Sequence, residues 1–263
     1  MTTAGHTTVP RSRVLLISDL HLEEDRPHLT QAFHAFLARE TPSAAALYIL
    51  GDFFNVWLGD DDDRPLNADI TSALRRCSDA GLEIYLLHGN RDFLLGEAFA
   101  LAAGATLLQG PTVIEEAGQR YLLLHGDELC TLDTDYQKFR HMVRNPAWQQ
   151  QFLTQPLAAR RAFADQARAT SKTMNSNKAA DIMDVTPAEV ERLLKEQQQN
   201  GTLPVMIHGH THRPAVHEFA IEGHNARRIV LGDWGDSLWY AALHHGSALL
   251  LEVGLTPSAA SPA

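Results

Sequence analysis

The sequence predicts a layered α/β domain. Three observations predict it. Short apolar runs recur along the chain, stretches of helical period lie between the early ones, and each run stops at an acid, amide or imidazole, usually behind a glycine. Near-continuous Val/Ile/Leu runs suit strands covered on both faces. A glycine after the run permits a sharp turn or a close backbone approach. In α/β sheets, ligands gather outside the carboxyl ends of the strands.

Taken in order, Val14–Ser18 ends at Asp19-Leu20-His21. Residues 28–40 then place Leu29, Phe33, Phe36 and Leu37 on one stripe, which predicts a helix. Leu47–Leu50 ends at Gly51-Asp52, and residues 67–81 carry Ile70, Leu74 and Cys77 in step, with Gly81 as a stop signal. Ile84–His88 ends at Gly89-Asn90-Arg91-Asp92, and Tyr121–His125 at Gly126-Asp127. Val205–His208 ends at Gly209-His210-Thr211-His212, and Ile229–Leu231 at Gly232-Asp233. One Asp after a strand is an ordinary turn residue. Six endings, each delivering a metal-capable side chain, are more than turns require.

Bulk properties bound the rest. A chain of 263 residues allows one large domain, or one domain with a sizeable insertion. The net charge of −10 argues against a nucleic-acid surface. Cys77 and Cys130 have no partner at metal-binding spacing and allow no disulfide framework beyond one bridge, which fits a reducing cytosol. Both read as small buried side chains. No targeting segment is visible, and the longest apolar stretch, residues 98–108, falls well below the roughly 18 residues that span a bilayer. The expected organisation is a disordered extension over 1–13, a domain over 14–253 and a disordered tail over 254–263.

Asp-x-His, Gly-Asp, Gly-Asn-Arg-Asp, a strand-end His and Gly-His-x-His, in that order, resemble the calcineurin-like metallophosphoesterases. The resemblance implies a β-sandwich flanked by helices, with two divalent metals at the strand ends. One metal would take Asp19, His21, Asp52 and His212; the other would take Asp52, Asn90, His125 and His210, with Asp52 as the bridge. Carboxylate, amide and imidazole ligands suit Mn²⁺, Fe²⁺, Co²⁺ or Zn²⁺ better than Ca²⁺. A bridging carboxylate can hold two cations roughly 3.5–4 Å apart around a phosphoryl group. The run His208, His210, His212 is thereby divided: two ligands, and His208 as a packing or hydrogen-bonding residue behind them. Asp92, Asp127 and Asp233 read as turn or orienting residues, and Asp60–Asp63 as a solvated loop.

Many members of this family carry a His after the Asn, often as a general acid. Arg91 stands there in this chain. Arginine cannot deliver a proton, but it can brace a phosphate in bidentate fashion. That leans towards a pyrophosphate bond, whose leaving phosphate departs without protonation. The segment at about 130–200 reads as a helical cap insertion. Asp133 and Thr134 stand at capping positions, and Thr186, Pro187 and Glu189 follow capping-box order. Residues 138–178 contain eight Lys/Arg and one acid, Asp165, together with bulky apolar groups from Phe139 to Phe163. They fit either a solvated basic face over a packed core, or a cap that grips an anionic, acylated substrate.

The stretches GDFFNVW, HGDELCTLDTDYQKFR and SKTMNSNKAADIMDV narrow the resemblance to the branch of the family that hydrolyses UDP-2,3-diacylglucosamine in lipid A synthesis, from about Val14 to about Val253. That branch implies two Mn²⁺ per chain and attack of a dimetal-bound hydroxide on the uridine-bearing phosphorus. The products would be UMP and 2,3-diacylglucosamine 1-phosphate. It implies catalysis through Asn90, Arg91 and His210, and substrate contacts from Asn90, Arg91, Asp133, Tyr136, Arg168, Ser171, Asn175, Lys178 and His210. Trp57 would close over the lipid or simply pack, and Asp133 would touch substrate or simply cap its helix. The expected location is cytoplasmic, peripheral on the inner membrane, with contact to membrane lipid, no nucleic acid and no obligate protein partner. Two competing readings stand beside it: a dimetal phosphoesterase for water-soluble substrates, and a scaffold that has lost catalysis. The second should lack ligands, and this chain keeps all seven.

Overall fold

The computed structural model describes residues 12–175, 182 and 184–255, without the side chains of 171–175. The chain runs β1 (Arg13–Ile17), α1 (Pro27–Glu40), β2 (Ala44–Ile49), α2 (Pro65–Asp79), β3 (Glu83–Leu86), α3 (Glu97–Ala103), β4 (Thr106–Leu107), β5 (Thr112–Glu116) and β6 (Gln119–Leu123). Four helices follow: α4 (Thr134–Val143), α5 (Pro146–Leu153), α6 (Leu157–Asn175) and α7 (Pro187–Glu196). The strands β7 (Val205–His208), β8 (Ala215–Ile221), β9 (His224–Val230), β10 (Ser237–His244) and β11 (Ser247–Gly254) complete it.

The strands form two sheets, ordered β11-β10-β1-β2-β3-β4 and β5-β6-β7-β9-β8. β1, β2, β3 and β4 run parallel, as do β6, β7 and β9, so their carboxyl ends point the same way within each sheet. The period-2 alternation of the strands then builds three apolar layers. Leu16, Leu50, Leu87, Tyr121, Leu123, Ile207 and Ile229 meet between the sheets. Leu15, Ile17, Leu47 and Ile49 face outward onto Leu29, Phe33 and Phe36 of α1 and Ile70 and Leu74 of α2. Leu122 and Met206 of the other sheet pack on Val190 and Leu194 of α7. Covering both faces explains why the runs in the sequence are continuous.

The helices start where the chemistry allows. Pro27, Pro65, Pro146 and Pro187 each occupy a first turn. Asp133 caps α4 by accepting Tyr136 N–H at 3.1 Å, and Asn145 caps α5. The expected capping box at α7 does not form: Thr186 makes no side-chain cap, its hydroxyl meets that of Thr131, and Glu189 pairs with Arg192.

Asp60, Asp61 and Asp63 are exposed, as a solvated loop requires, but three of the four carboxylates in the run have partners. Asp60 accepts the N–H groups of Gly96 and Phe99 at 2.9 Å each, capping α3, and takes the Trp57 indole N–H. Asp61 pairs with Arg160, and Asp62 is buried against Arg64. Trp57 itself is buried between Phe54 and Phe99, which is a packing role.

The four-helix insert is tied to this body. Trp148, Phe152 and Phe163 stack together and join the core under α1–α3. Several of its basic residues answer internal acceptors: Arg140 pairs with Asp127, Arg160 with Asp61, and Arg144 donates to the Gly89 carbonyl at 2.9 Å. Met142 and Leu153 remain exposed. Cys130 is buried and Cys77 half-buried, and neither is in a disulfide. Among the described residues, no helix is long and apolar enough to cross a membrane.

Candidate dimetal centre

The ends of β1, β2, β3, β6 and β7 bring Asp19, His21, Asp52, Asn90, His125, His210 and His212 to one place. Asp19 Oδ1 lies 3.3 Å from His212 Nε2 and 3.9 Å from His21 Nε2. The two histidine nitrogens are themselves 3.2 Å apart. Asp52 stands between the halves, its Oδ2 3.9 Å from His21 Nδ1 and its Oδ1 3.7 Å from His125 Nε2. On the far side, Asn90 Oδ1 meets His125 Nε2 at 3.0 Å and His210 Nδ1 at 2.9 Å.

Close backbone packing makes this convergence possible. A Cβ at Gly89 would stand 2.1 Å from Asp52 N, so only glycine lets the loops after β2 and β3 touch. A Cβ at Gly209 would stand 2.1 Å from Asp19 Oδ2, where the carboxylate instead accepts His210 N–H at 2.9 Å. Asp92 is fully buried and accepts N–H groups from Asp52, Phe53, Phe54 and Gly89. It is therefore the brace between those loops.

The backbone is also strained at the candidate ligands. Among the described residues, nine that are not glycine have positive φ, and five of them are Asp19, His21, Asp52, His210 and His212. Residues held in this region cluster at functional sites.

The donor set fits divalent cations. Asp19 Oδ1 and His21 Nδ1 are buried with no hydrogen-bond partner. Asp19, His21 and His212, and likewise Asp19, Asp52 and His125, bring ligand atoms within 4.8 Å of one another. His125 Nδ1 must donate to the Leu50 carbonyl at 2.9 Å, which turns Nε2 inward towards Asn90 Oδ1 and Asp52 Oδ1. Burial pushes His21 down to about 3 and His210 down to about 4. At His125 burial is outweighed by the Asp52 and Asp19 carboxylates, which raise it to about 9, and at His212 by Asp19, which likewise raises it; cations bound there would displace those protons. Burial raises the Asp52 carboxyl; His125 opposes this, and the Asp92 and Asp19 carboxylates add to it. Such crowding of acids calls for positive charge at the centre.

The calcineurin-like phosphoesterase family matches residues 12–214. UDP-2,3-diacylglucosamine hydrolase of Cellvibrio japonicus is 56% identical over 86% of this chain and 92% of its own length. The protein of the same name from Marinobacter nauticus is 52% identical over 86% and 91%, and that from Pseudomonas fluorescens 46% identical over 95% and 99%. The chain belongs to the calcineurin-like phosphoesterases, in the family of the UDP-2,3-diacylglucosamine hydrolases. Among solved structures, an archaeal phosphodiesterase aligns at a TM-score of 0.46 and 13% identity, over 92% of this chain and 99% of that one.

Around the centre of this phosphoesterase the expected substrate contacts divide. Arg91 sits beside it: its N–H donates to Asp52 Oδ1 at 2.7 Å, and its charge acts on both His21 and Asp52. The Tyr136 ring lies over His210, centroids 6.0 Å apart at 29°, while its hydroxyl donates to Asp127 at 2.5 Å. Asp133 is buried as the α4 cap. Arg168 sits on α6 and pairs with Asp165 of the same helix. The side chains of Ser171 and Asn175, and Lys178 altogether, lie outside the described residues.

Sequence reasoning placed Asp92, Asp127 and His208 behind the candidate ligands but missed the groups of the insert that bond Asp127 and Gly89. Arg140, Tyr136 and Gln137 of α4 all bond Asp127, and Arg144 bonds Gly89, so the insert is fastened to two of the ligand loops. The excess of arginine at 138–178 was the available signal, read as either a solvated basic face or a substrate grip.

Proposed function

We propose that this phosphoesterase hydrolyses the pyrophosphate bond of UDP-2,3-diacylglucosamine to UMP and 2,3-diacylglucosamine 1-phosphate, in lipid A synthesis. The observation that carries the proposal is the convergence of four imidazoles, two carboxylates and an amide at the strand ends, in a chain 56% identical to a hydrolase of that name. Asp19, His21, Asp52 and His212 would hold one cation; Asp52, Asn90, His125 and His210 would hold the other. Mn²⁺ is the cation we assign. When bound, the pair acidifies water and neutralises charge on the phosphoryl oxygens.

The chain's own groups do the rest. Arg91 offers a permanent cation with two parallel donors, matched to phosphate oxygens. It cannot supply a proton, and a leaving phosphate needs none. Water attacks the uridine-bearing phosphorus, and the lipid phosphate departs. Asn90 and His210, 2.9 Å apart, orient the oxygens on that side. The helical insert over about 130–200 acts as a cap, and the resemblance assigns substrate contacts there to Asp133, Tyr136, Arg168, Ser171, Asn175 and Lys178. The acyl chains imply peripheral contact with the cytoplasmic face of the inner membrane.

The test is UMP release from UDP-2,3-diacylglucosamine, with and without Mn²⁺, in water enriched in ¹⁸O. Mn²⁺-dependent release with the label in UMP is expected. No release from the lipid nucleotide, with turnover of water-soluble phosphodiesters, overturns the substrate. Label in the lipid phosphate overturns the point of attack.

A further inference from the structure

We infer that Arg228 is a positioning residue for the metal centre: it fixes the tautomer and ring plane of His208, and through them the loop that carries His210 and His212. The inference rests on the dimetal reading above.

His208 closes β7 and is fully buried. Both of its ring nitrogens are engaged. Nε2 lies 3.0 Å from Arg228 Nη1, and Nδ1 lies 2.9 Å from the Gly209 carbonyl. A guanidinium only donates and a carbonyl only accepts. Nε2 must therefore accept, and the single ring proton must sit on Nδ1. The two bonds agree on one tautomer, and each requires it.

The Gly209 carbonyl is the hub of the ligand loop. It also accepts Thr211 N–H at 2.8 Å, while Gly209 N–H donates to the His125 carbonyl at 2.9 Å. His210 and His212, on either side of Thr211, hold φ values of 68° and 55°. A loop with two strained histidines two residues apart needs an external anchor, and the His208 ring supplies it.

Arg228 reaches His208 because β9 pairs with β7 in parallel, Met206 opposite Arg228 and His208 opposite Val230. Arg228 also lines a cleft of about 210 Å³ with Asp184 and Thr211, so its charge is not enclosed in the core. Without its donor, the other tautomer becomes accessible. A bare Nδ1 lone pair would then face the Gly209 carbonyl, and the loop would lose its anchor.

The experiment has two arms on the purified chain. In the first, ¹⁵N spectroscopy of the chelated wild type reads the His208 ring directly, without reference to metal. A protonated Nδ1 is expected, and a protonated Nε2 overturns the inference. In the second, Mn²⁺ binding is followed by calorimetry in Arg228→Met, Arg228→Lys, His208→Leu and His208→Asn. Arg228→Met and His208→Leu are expected to weaken binding by about 10- to 100-fold, the usual range for groups that orient ligands. Arg228→Lys, which keeps a donor, and His208→Asn, which keeps one near the Nδ1 position, should recover much of it. A loss of thermal stability with Mn²⁺ affinity unchanged would show a merely structural role and overturn the inference. Absence of Mn²⁺ binding in the wild type would instead remove the dimetal reading, with the tautomer still decided by the first arm.

Discussion

Asp92→Asn isolates the brace between two ligand loops. Asp92 Oδ1 accepts Gly89 N–H at 2.8 Å and Asp52 N–H at 3.3 Å, while Oδ2 accepts Phe53 N–H at 2.8 Å and Phe54 N–H at 3.4 Å. The substitution keeps the shape and changes one oxygen to an NH₂. Whichever way the amide turns, one short bond is lost and the NH₂ faces donors. A hydrogen bond to a charged acceptor contributes about 1.5–3 kcal/mol, and a buried N–H left without a partner costs about 1–3 kcal/mol. The expected loss is their sum, about 2.5–6 kcal/mol, reduced by whatever the loops can relax. Against a total stability of about 5–15 kcal/mol, that is a large fraction.

Urea unfolding in EDTA measures it, because metal binding would otherwise add its own stabilisation. Asp233→Asn serves as the comparison. Asp233 Oδ2 lies 3.8 Å from His212 Nδ1 and its side chain is 44% exposed, so about 0.5 kcal/mol or less is expected. An Asp92→Asn loss below about 1 kcal/mol would refute the reasoning. It would mean that the loops holding Asp52 and Asn90 do not depend on the carboxylate that joins them.

Chelation should abolish hydrolysis and Mn²⁺ should restore it; Asp52→Ala should be the most damaging ligand change, since it serves both halves of the centre, and metal analysis of that variant checks this. His210→Ala and His212→Ala should each lose metal and at least ~10²-fold in rate, on the order of 3 kcal/mol in barrier. His208→Ala should lose less at saturating Mn²⁺, because it removes an anchor and no ligand. Arg168→Ala and Lys178→Ala should weaken hydrolysis of the lipid nucleotide while sparing bis(p-nitrophenyl) phosphate, since binding energy remote from the reacting bond has nothing to act on in a small ester; parallel losses on both would defeat the cap assignment.

The strands that carry ligands were legible because a continuous apolar run has meaning only when both faces are covered. Leu16 points between the sheets while Leu15 and Ile17 point at α1. The helices over 28–40 and 67–81 were legible from Leu29, Phe33, Ile70 and Leu74 at helical spacing. β8, β10 and β11 were not read as strands, because no polar ligand ends them and attention to strand-end motifs passes over such segments. Nor does local sequence say that β10 pairs with β1, more than 200 residues away. Within the site, the candidate ligands could be named by type and order, and Asp92 and His208 as groups behind them, but the arginines that support them could not. Arg228 stands in HNARRIV, which carries no motif. Its meaning depends on the pairing of β9 with β7, a non-local event. The same holds for Asp60, whose acceptors' role exists only once α3 folds back upon it.

Each candidate carboxylate ligand divides its two oxygens between support and chemistry. Asp19 gives Oδ2 to His210 N–H on another loop, and leaves Oδ1 buried, without a hydrogen bond, towards His21 and His212. Asp52 gives Oδ1 to Arg91 N–H and turns Oδ2 towards His21. His125 does the same with its nitrogens, anchoring Nδ1 on the Leu50 carbonyl and presenting Nε2. In Asp19, Asp52 and His125 one atom is thus tied to the backbone of a different strand end, so these three are not held by their own loops alone. A shift of any one strand would move ligands on two loops at once. This cross-tying lets short, left-handed loop residues keep a geometry that their own backbone preferences oppose. It also explains why the centre stands at the ends of parallel strands, whose rigid pairing fixes the distances between the loops.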